Sequence, residues 1–584
     1  MRFLRNLLAT ITGLFIFTFL MVFLLIAIAS SSGEEQLIEI EAGSVLHLKI
    51  DKPVLEREAE NPFEDVPILA GMEDSGIGLK EFKEAVTHAA TDDNIKGILL
   101  ESPVLIAGIS TIGEMRDALD EFKASGKFVI SYSEMYTEGA YYLASVADQV
   151  YMNPDFAMIE FNGLNIEGVY LKGMFEKLEI EPLTFKVGDY KEISEPFDRK
   201  DMSSQVKQRY SELLGNIHGN ILTKIAESRA LTFEELKNIS DSALVNLESE
   251  AVKYGLVDKL AYRDEVMELL KEKLELAQDD DPKLVSYSKY RKSFKDEGTS
   301  KNRIAVIVAS GNIVNGKGEN NNIGSAKYAK EIKRAAEDDK TKAIVIRINS
   351  GGGSALASDI MWREIKLAAQ KKPVIASMSD YAASGGYYMA MACDTIFAQP
   401  NTITGSIGVF SMIFNVNGFL GNKLGITTDN VKTGHFSDLY SMTQPLTEYE
   451  KQYIQKGTNN AYKTFTTKAA EGRNMTTEAL EPLASGRIWT GEEALKNGLV
   501  DMLGDLDDAV ALAATKAGIG DDYKIRTYPV PKVPLEELMD ALAGDMESSV
   551  LSRKLDAFYP YIKSLETLQE LKGIQARSLV KIGI

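Results

Sequence analysis

Along most of this chain, short continuous apolar runs alternate with longer amphipathic stretches, whereas one segment near the N-terminus is apolar throughout. Residues 6–32 carry no charge and are dominated by Leu, Ile, Phe, Ala and Val, with Arg2 and Arg5 ahead of them. At about 1.5 Å per residue the apolar part reaches the roughly 30 Å of a bilayer core. Residues 1–33 are therefore expected to form a membrane anchor, one N-terminal transmembrane helix. Ala27-Ile28-Ala29 has the form of a signal-peptide cleavage site, but the apolar core of such a peptide is usually only about 7–15 residues, shorter than this run. The two arginines predict that the short end stays in the cytoplasm and that everything after Glu34 lies outside it.

In the second half of the chain, 303–308 and 343–348 read as buried strands, with a helix over Ser325–Glu337 between them. A glycine-rich turn follows, then a helix over Ala355–Ala369, a strand over 373–378, and a loop at Ser384 entering an apolar helix over 387–393. Alternation of this kind predicts α/β units with parallel sheets. Residues 278–302, rich in Asp, Lys and Ser, read as linker. Beyond Pro529, Pro531 and Pro534 the helical patterning weakens, and 531–584 is a tail with no assigned role.

The chain is internally duplicated. Tyr136-Thr137-Glu138-Gly139-Ala140-Tyr141-Tyr142 is echoed by Tyr381-Ala382-Ala383-Ser384-Gly385-Gly386-Tyr387-Tyr388, and Val187-Gly188-Asp189-Tyr190-Lys191 by Thr433-Gly434-His435-Phe436-Ser437. The same interval separates Glu138 from Ser384, Lys191 from Ser437, and Lys96 from Lys342 in a third matching stretch. Gly255-Leu256-Val257-Asp258 answers Gly498-Leu499-Val500-Asp501 at an interval shorter by one small deletion. Such a period is far longer than that of solenoid repeats, so each copy is expected to be a domain, 40–277 and 303–530. Glu138 stands where Ser384 stands, and Ser437 where Lys191 stands. Each half thus lacks what the other supplies, which predicts one composite site.

A formal charge of -20 argues against nucleic acid as a partner. The single cysteine, Cys393, lies in an apolar stretch and reads as core filler; alone it makes no intrachain disulfide or zinc cluster. No cofactor and no metal are expected.

Two loops of the second half carry candidate chemistry. In Asn349-Ser350-Gly351-Gly352-Gly353-Ser354 the glycines allow a sharp turn with outward-pointing amides. At the other loop, a serine at a strand-to-helix turn lies beside free backbone amides. Gly385, with Gly352 or Gly353, is a candidate oxyanion hole for Ser384. Glycine-rich turns after strands are, however, mostly structural. A serine also needs a base. Of His47, His88, His218 and His435, only His435 lies near a repeat position of interest. A lysine serves only when neutral, so burial or a neighbouring cation must lower its usual pKa of about 10.4. Lys191 and Lys186 are the lysines to consider.

Three stretches taken together resemble the long form of signal peptide peptidase A, also called protease IV. They are 187–197, opening Val-Gly-Asp-Tyr-Lys, Ala382-Ala383-Ser384-Gly385-Gly386-Tyr387-Tyr388, and Thr404-Gly405-Ser406-Ile407-Gly408-Val409. The likeness extends from the anchor to Trp489-Thr490-Gly491 and Gly498-Leu499-Val500-Asp501. It implies tandem domains of the Clp/crotonase α/β superfold, Ser384 as nucleophile, Lys191 as general base, and a homotetramer on the membrane. It further implies a serine endopeptidase of the bacterial inner membrane, its catalytic body extracytoplasmic, acting on hydrophobic peptides such as signal peptide remnants. Ile407, Val409 and Met412 are expected to line the substrate groove. One departure stands out, since Gly351 occupies the place where the family usually has proline, which loosens the turn. A crotonase-like acyl-CoA enzyme and a scaffold with a decayed site are the rival readings.

Overall fold

The computed structural model describes residues 37–58, 76–188, 190–295, 298–318, 322–529 and 574–577, with scattered positions between 5 and 21. Most of the expected anchor and most of the tail lie outside these residues. Among the described residues no helix is long and apolar enough to cross a membrane.

The duplication is written into the sheets. In the first half the strands run in the order Lys259–Leu260, Gln149–Met152, Phe128–Ser133, Ile95–Glu101, Ser44–Lys49, Leu284–Ser286, all paired parallel. The second half repeats that order with Met502–Leu503, Thr395–Ala398, Val374–Ala383, Thr341–Ser350, Arg303–Ser310 and Lys524–Tyr528, again parallel. Strands covered on both faces are continuously apolar rather than alternating, and Ile304, Ala305, Ile307, Ile344, Val345 and Ile346 are all buried. The intervening helix Ser325–Glu337 turns Tyr328, Ile332, Ala335 and Ala336 inward, the one-sided stripe of a helix laid on a sheet.

Residues 278–302, expected to be linker, contribute the sixth strand of the first sheet, Leu284–Ser286, and the helix Tyr287–Arg291. A three-residue edge strand with one buried apolar residue, Val285, is too short to stand out against its charged surroundings. The strand leading to Ser384 is likewise longer than expected, running from Val374 to Ala383.

The two halves are clamped together by buried polar contacts. Asp380, on the strand that ends at Ser384, accepts from the Thr111 amide (2.9 Å) and hydroxyl (2.6 Å) of the first half and from Asn349 Nδ2 (3.2 Å). Arg347 donates to Glu56 (2.8 Å) and pairs with Glu114, both from the first half. Burial alone would raise the Glu56 carboxyl, but Arg347 holds it below its ordinary value. Arg209 of the long helix Ser204–Arg229 donates to the Ile488 carbonyl (2.8 Å) and lies over the Trp489 ring. A third sheet spans the seam, where Glu181–Lys186 of the first half pairs antiparallel with Phe410–Asn415 of the second.

Candidate active site

Ser384 closes the strand Val374–Ala383 and caps the short helix Gly385–Ala390. Its backbone is in an unusual region for a residue with a side chain, φ 54° and ψ -110°, the kind of strain that clusters at functional sites. Two backbone bonds pin it: the Ser384 amide donates to the Gly405 carbonyl, and Tyr388 donates to the Ser384 carbonyl, both at 2.8 Å.

Lys191 enters from the other half, one residue before the turn Glu192–Ser194. Its Nζ lies 2.9 Å from Ser384 Oγ, 2.9 Å from Ser406 Oγ and 3.3 Å from the Ser406 carbonyl. Both Lys191 and Ser384 are fully buried, at 0 % exposure. Burial pushes the Lys191 amine down from 10.5 to about 8, while the Glu192 carboxylate pulls the other way. About a tenth of the amine is then neutral at pH 7 and about half near pH 8, a shift in the direction a general base requires.

The approach depends on glycines. A Cβ on Gly486 would lie 2.7 Å from the Lys191 amide nitrogen, and one on Gly408 3.3 Å from Lys191 Cδ. The Tyr190 amide donates to the Ser485 carbonyl (3.1 Å), so the loop 485–487 of the second half fastens the lysine-bearing turn of the first.

The other candidates fall elsewhere. His435 is exposed and tilted against Phe436, with ring centroids 6.3 Å apart. His47 bonds Glu101, His88 bonds Tyr290, and His218 faces Glu138 at 3.4 Å. Lys186 lies on the seam strand opposite Phe410. In the first half Glu138, at the serine's place, accepts from the Gly163 amide (2.8 Å) and the Asn162 amide (3.2 Å), and Ser437, at the lysine's place, is exposed and bonds Gly434. Of the two equivalent positions, only the second-half one holds the serine with a lysine beside it.

Among the expected oxyanion glycines, Gly352 has a positive φ of 99° and lies against Gly385: a Cβ on it would be 2.6 Å from the Gly385 nitrogen. The Gly352 amide donates to Ser350 Oγ at 3.1 Å, so binding an oxyanion there requires it to exchange that partner. Gly353 sits opposite Ile313 in the neighbouring strand. Ile407 and Val409 belong to the apolar cluster of the second half, and both are buried. Met412 packs with Phe175, Ile193, Phe197, Phe410 and Phe414, because alternation along Phe410–Asn415 puts it on the same face as Phe410 and Phe414. Sequence reasoning does not single out Ser406, although it lies inside a quoted motif; a small hydroxyl residue between glycines gives no sign of which lysine it will meet. Cys393 is buried in the core, as its neighbours suggest.

The geometry sets a strained serine beside a buried lysine, and the sequence comparisons supply the class of protein. The profile of "Peptidase family S49" matches residues 121–277 and 366–520, once in each half. The chain is 36% identical over 513 residues to "Serine protease SPPA, chloroplastic" of Arabidopsis thaliana, covering 86% of this chain and 74% of that one. It is 35% identical over 492 residues to "Protease 4" of Salmonella typhi, covering 82% and 78%. A solved structure, "ClpP1 N165D mutant from Listeria monocytogenes", is similar over 35% of this chain and 94% of its own, at 17% identity and a TM-score of 0.23. The chain belongs to peptidase family S49 and is a serine peptidase.

Proposed function

We propose that this peptidase works through a dyad of Ser384 and Lys191 divided between its two halves, and that it degrades hydrophobic peptides, including cleaved signal peptides. The observation that carries the reading is the 2.9 Å contact between Lys191 Nζ and Ser384 Oγ, both shielded from water. Neutral Lys191 takes the hydroxyl proton as Ser384 Oγ attacks a peptide carbonyl. The Gly385 amide, with that of Gly352 once released from Ser350, holds the oxyanion. The C–N bond breaks as protonated Lys191 gives its proton to the leaving amine, and water activated by Lys191 then hydrolyses the ester. Ser406, bonded to the same nitrogen, keeps the amine aimed at the serine.

Within the same proposal, residues 1–33 anchor the chain in a bacterial inner membrane with the body outside the cytoplasm, supported by the uncharged run behind Arg2 and Arg5. The two α/β halves belong to the Clp/crotonase superfold, and the protein assembles as a homotetramer. Exposed Leu424, Ile426, Val431 and Phe436 suit burial between copies. The test is hydrolysis of a synthetic signal-peptide fragment by the full chain beside folded Ser384→Ala and Lys191→Met variants. Cleavage by the parent and loss in both variants is expected; cleavage that survives Lys191→Met overturns the dyad.

A further inference from the structure

The two halves start the same helix in different ways. In the second half Ser354 precedes the helix Ala355–Ala369, and its hydroxyl accepts from the Ala357 amide at 3.3 Å. Gly108 and Thr111 stand one repeat interval before Ser354 and Ala357, at the head of the helix Ile109–Ala124. Gly108 has no side chain with which to accept, so the amides of that first turn need a partner from elsewhere. Asp380 of the other half supplies it. One carboxylate oxygen takes the Thr111 amide (2.9 Å) and the other the Thr111 hydroxyl (2.6 Å). A Cβ on Gly108 would lie 2.1 Å from Asp380 Cγ and 2.2 Å and 2.4 Å from its two oxygens. The carboxylate thus occupies the space that a capping side chain at residue 108 would fill. Burial pushes the Asp380 carboxyl up, and the Thr111 hydroxyl and amide pull it back.

Asp380 also sits where the two loops of the second-half site meet. It lies on the strand Val374–Ala383 that ends at Ser384. Asn349, at the start of the turn that holds Gly352, donates to Asp380 (3.2 Å) and to Glu56 of the first half (2.8 Å). Its Oδ1 accepts from the Tyr381 amide (3.3 Å). On the first-half side a continuous set of bonds leads toward Lys191. Arg116, on the capped helix, donates to the Lys224 carbonyl (2.8 Å) of the helix Ser204–Arg229. At the start of that long helix the Ser203 amide donates to Glu195 (3.0 Å), in the turn that follows Lys191. Thr111 is thus tied to the lysine as Asp380 is to the serine.

We propose that Asp380 is a positioning residue: by capping the helix Ile109–Ala124 across the seam, it fixes Ser384 against Lys191. The inference rests on the dyad reading above and adds the contact that aligns its two members. The glycine at 108 follows from it, because a side chain there would displace the carboxylate. Without the contact the halves shift, which separates the reacting groups and admits water to the lysine amine. Catalytic geometry is sensitive to such a shift, since about 1 Å of misplacement can cost ~100-fold in rate.

The test compares three variants of the full chain on a hydrophobic peptide ester: Asp380→Ala, Asp380→Ala with Gly108→Ser, and Lys191→Met. In the double variant the serine caps the helix from its own half, in the space the carboxylate leaves. Asp380→Ala is expected to lower both the melting temperature and kcat, the latter about tenfold or more. Adding Gly108→Ser restores the melting temperature, yet kcat stays low with KM little changed. The break in kcat/KM moves from about 8 toward the ordinary lysine value of 10.5. Thr111→Val, which keeps the amide cap and loses the hydroxyl bond, moves kcat and the break the same way without unfolding the protein. Recovery of kcat and of the break together with the melting temperature reduces Asp380 to a helix cap and overturns the proposal while the dyad stands. Wild-type kcat in Thr111→Val overturns it equally. Activity in Lys191→Met overturns the dyad, and the proposal with it.

Discussion

Gly486 of the second half meets Lys191 of the first backbone to backbone. A Cβ on the glycine, whose φ is 84°, would lie 2.7 Å from the lysine nitrogen and 2.8 Å from its Cα. Lys191 is therefore set in place by the half that carries Ser384. Gly486→Ala is expected to cost ~1–3 kcal/mol, from the unfavourable φ and the clash together. Because the displacement falls on Lys191, kcat drops with little change in KM, as steady-state kinetics and a melting curve will show.

Ser406 shares the Lys191 amine with Ser384, each at 2.9 Å. Ser406→Ala removes one positioning hydrogen bond without touching the nucleophile. A fall of about tenfold in kcat, equivalent to ~1.4 kcal/mol, is the expected size for one such bond. An unchanged kcat would show that the serine contact has no part in aiming the base.

Lys191 also makes the site costly to fold. The unfolded chain keeps the lysine proton up to its ordinary value of 10.5, whereas the folded protein gives it up at about 8. Between these values the unfolded state binds more protons, so stability rises with pH, and below about 8 the full penalty remains. Lys191→Met is accordingly expected to abolish activity yet raise the melting temperature at neutral pH. The gain is equivalent to ~1–3 kcal/mol, because a tenfold change in proton affinity is worth about 1.4 kcal/mol. Melting curves taken toward alkaline pH should show that gain shrinking.

At Gly351 the chain has a glycine where the family usually has proline. Gly351 is not among the positive-φ glycines, and the preceding Ser350 is extended, the conformation that a residue before proline prefers. Gly351→Pro is expected to stabilise the protein by ~0.4–1 kcal/mol through the unfolded state. If the turn limits the oxyanion site, kcat rises as well; thermal denaturation and kinetics on the one variant separate the two effects.

The parts of this arrangement that depend on local pattern are legible in the sequence. Doubly covered strands such as Thr341–Ser350 are continuous apolar runs, and the shared interval between Glu138 and Ser384 and between Lys191 and Ser437 implies one site from two halves. The bond between Lys191 and Ser384 itself needs the family resemblance, since a lysine's burial is decided by the distant loop 485–487. What stays hidden has the same cause. Ser406 and the edge strand Leu284–Ser286 acquire their roles from partners hundreds of positions away or from pairing too short to leave a period.

The measurement that bears most directly on the divided dyad is the pH dependence of kcat/KM for a hydrophobic peptide ester, from about pH 6 to 10. With Lys191 as the base, activity climbs with pH as the amine loses its proton and levels off above a break near 8. A break near the usual histidine value of about 6.5, or a flat profile across the range, would contradict it.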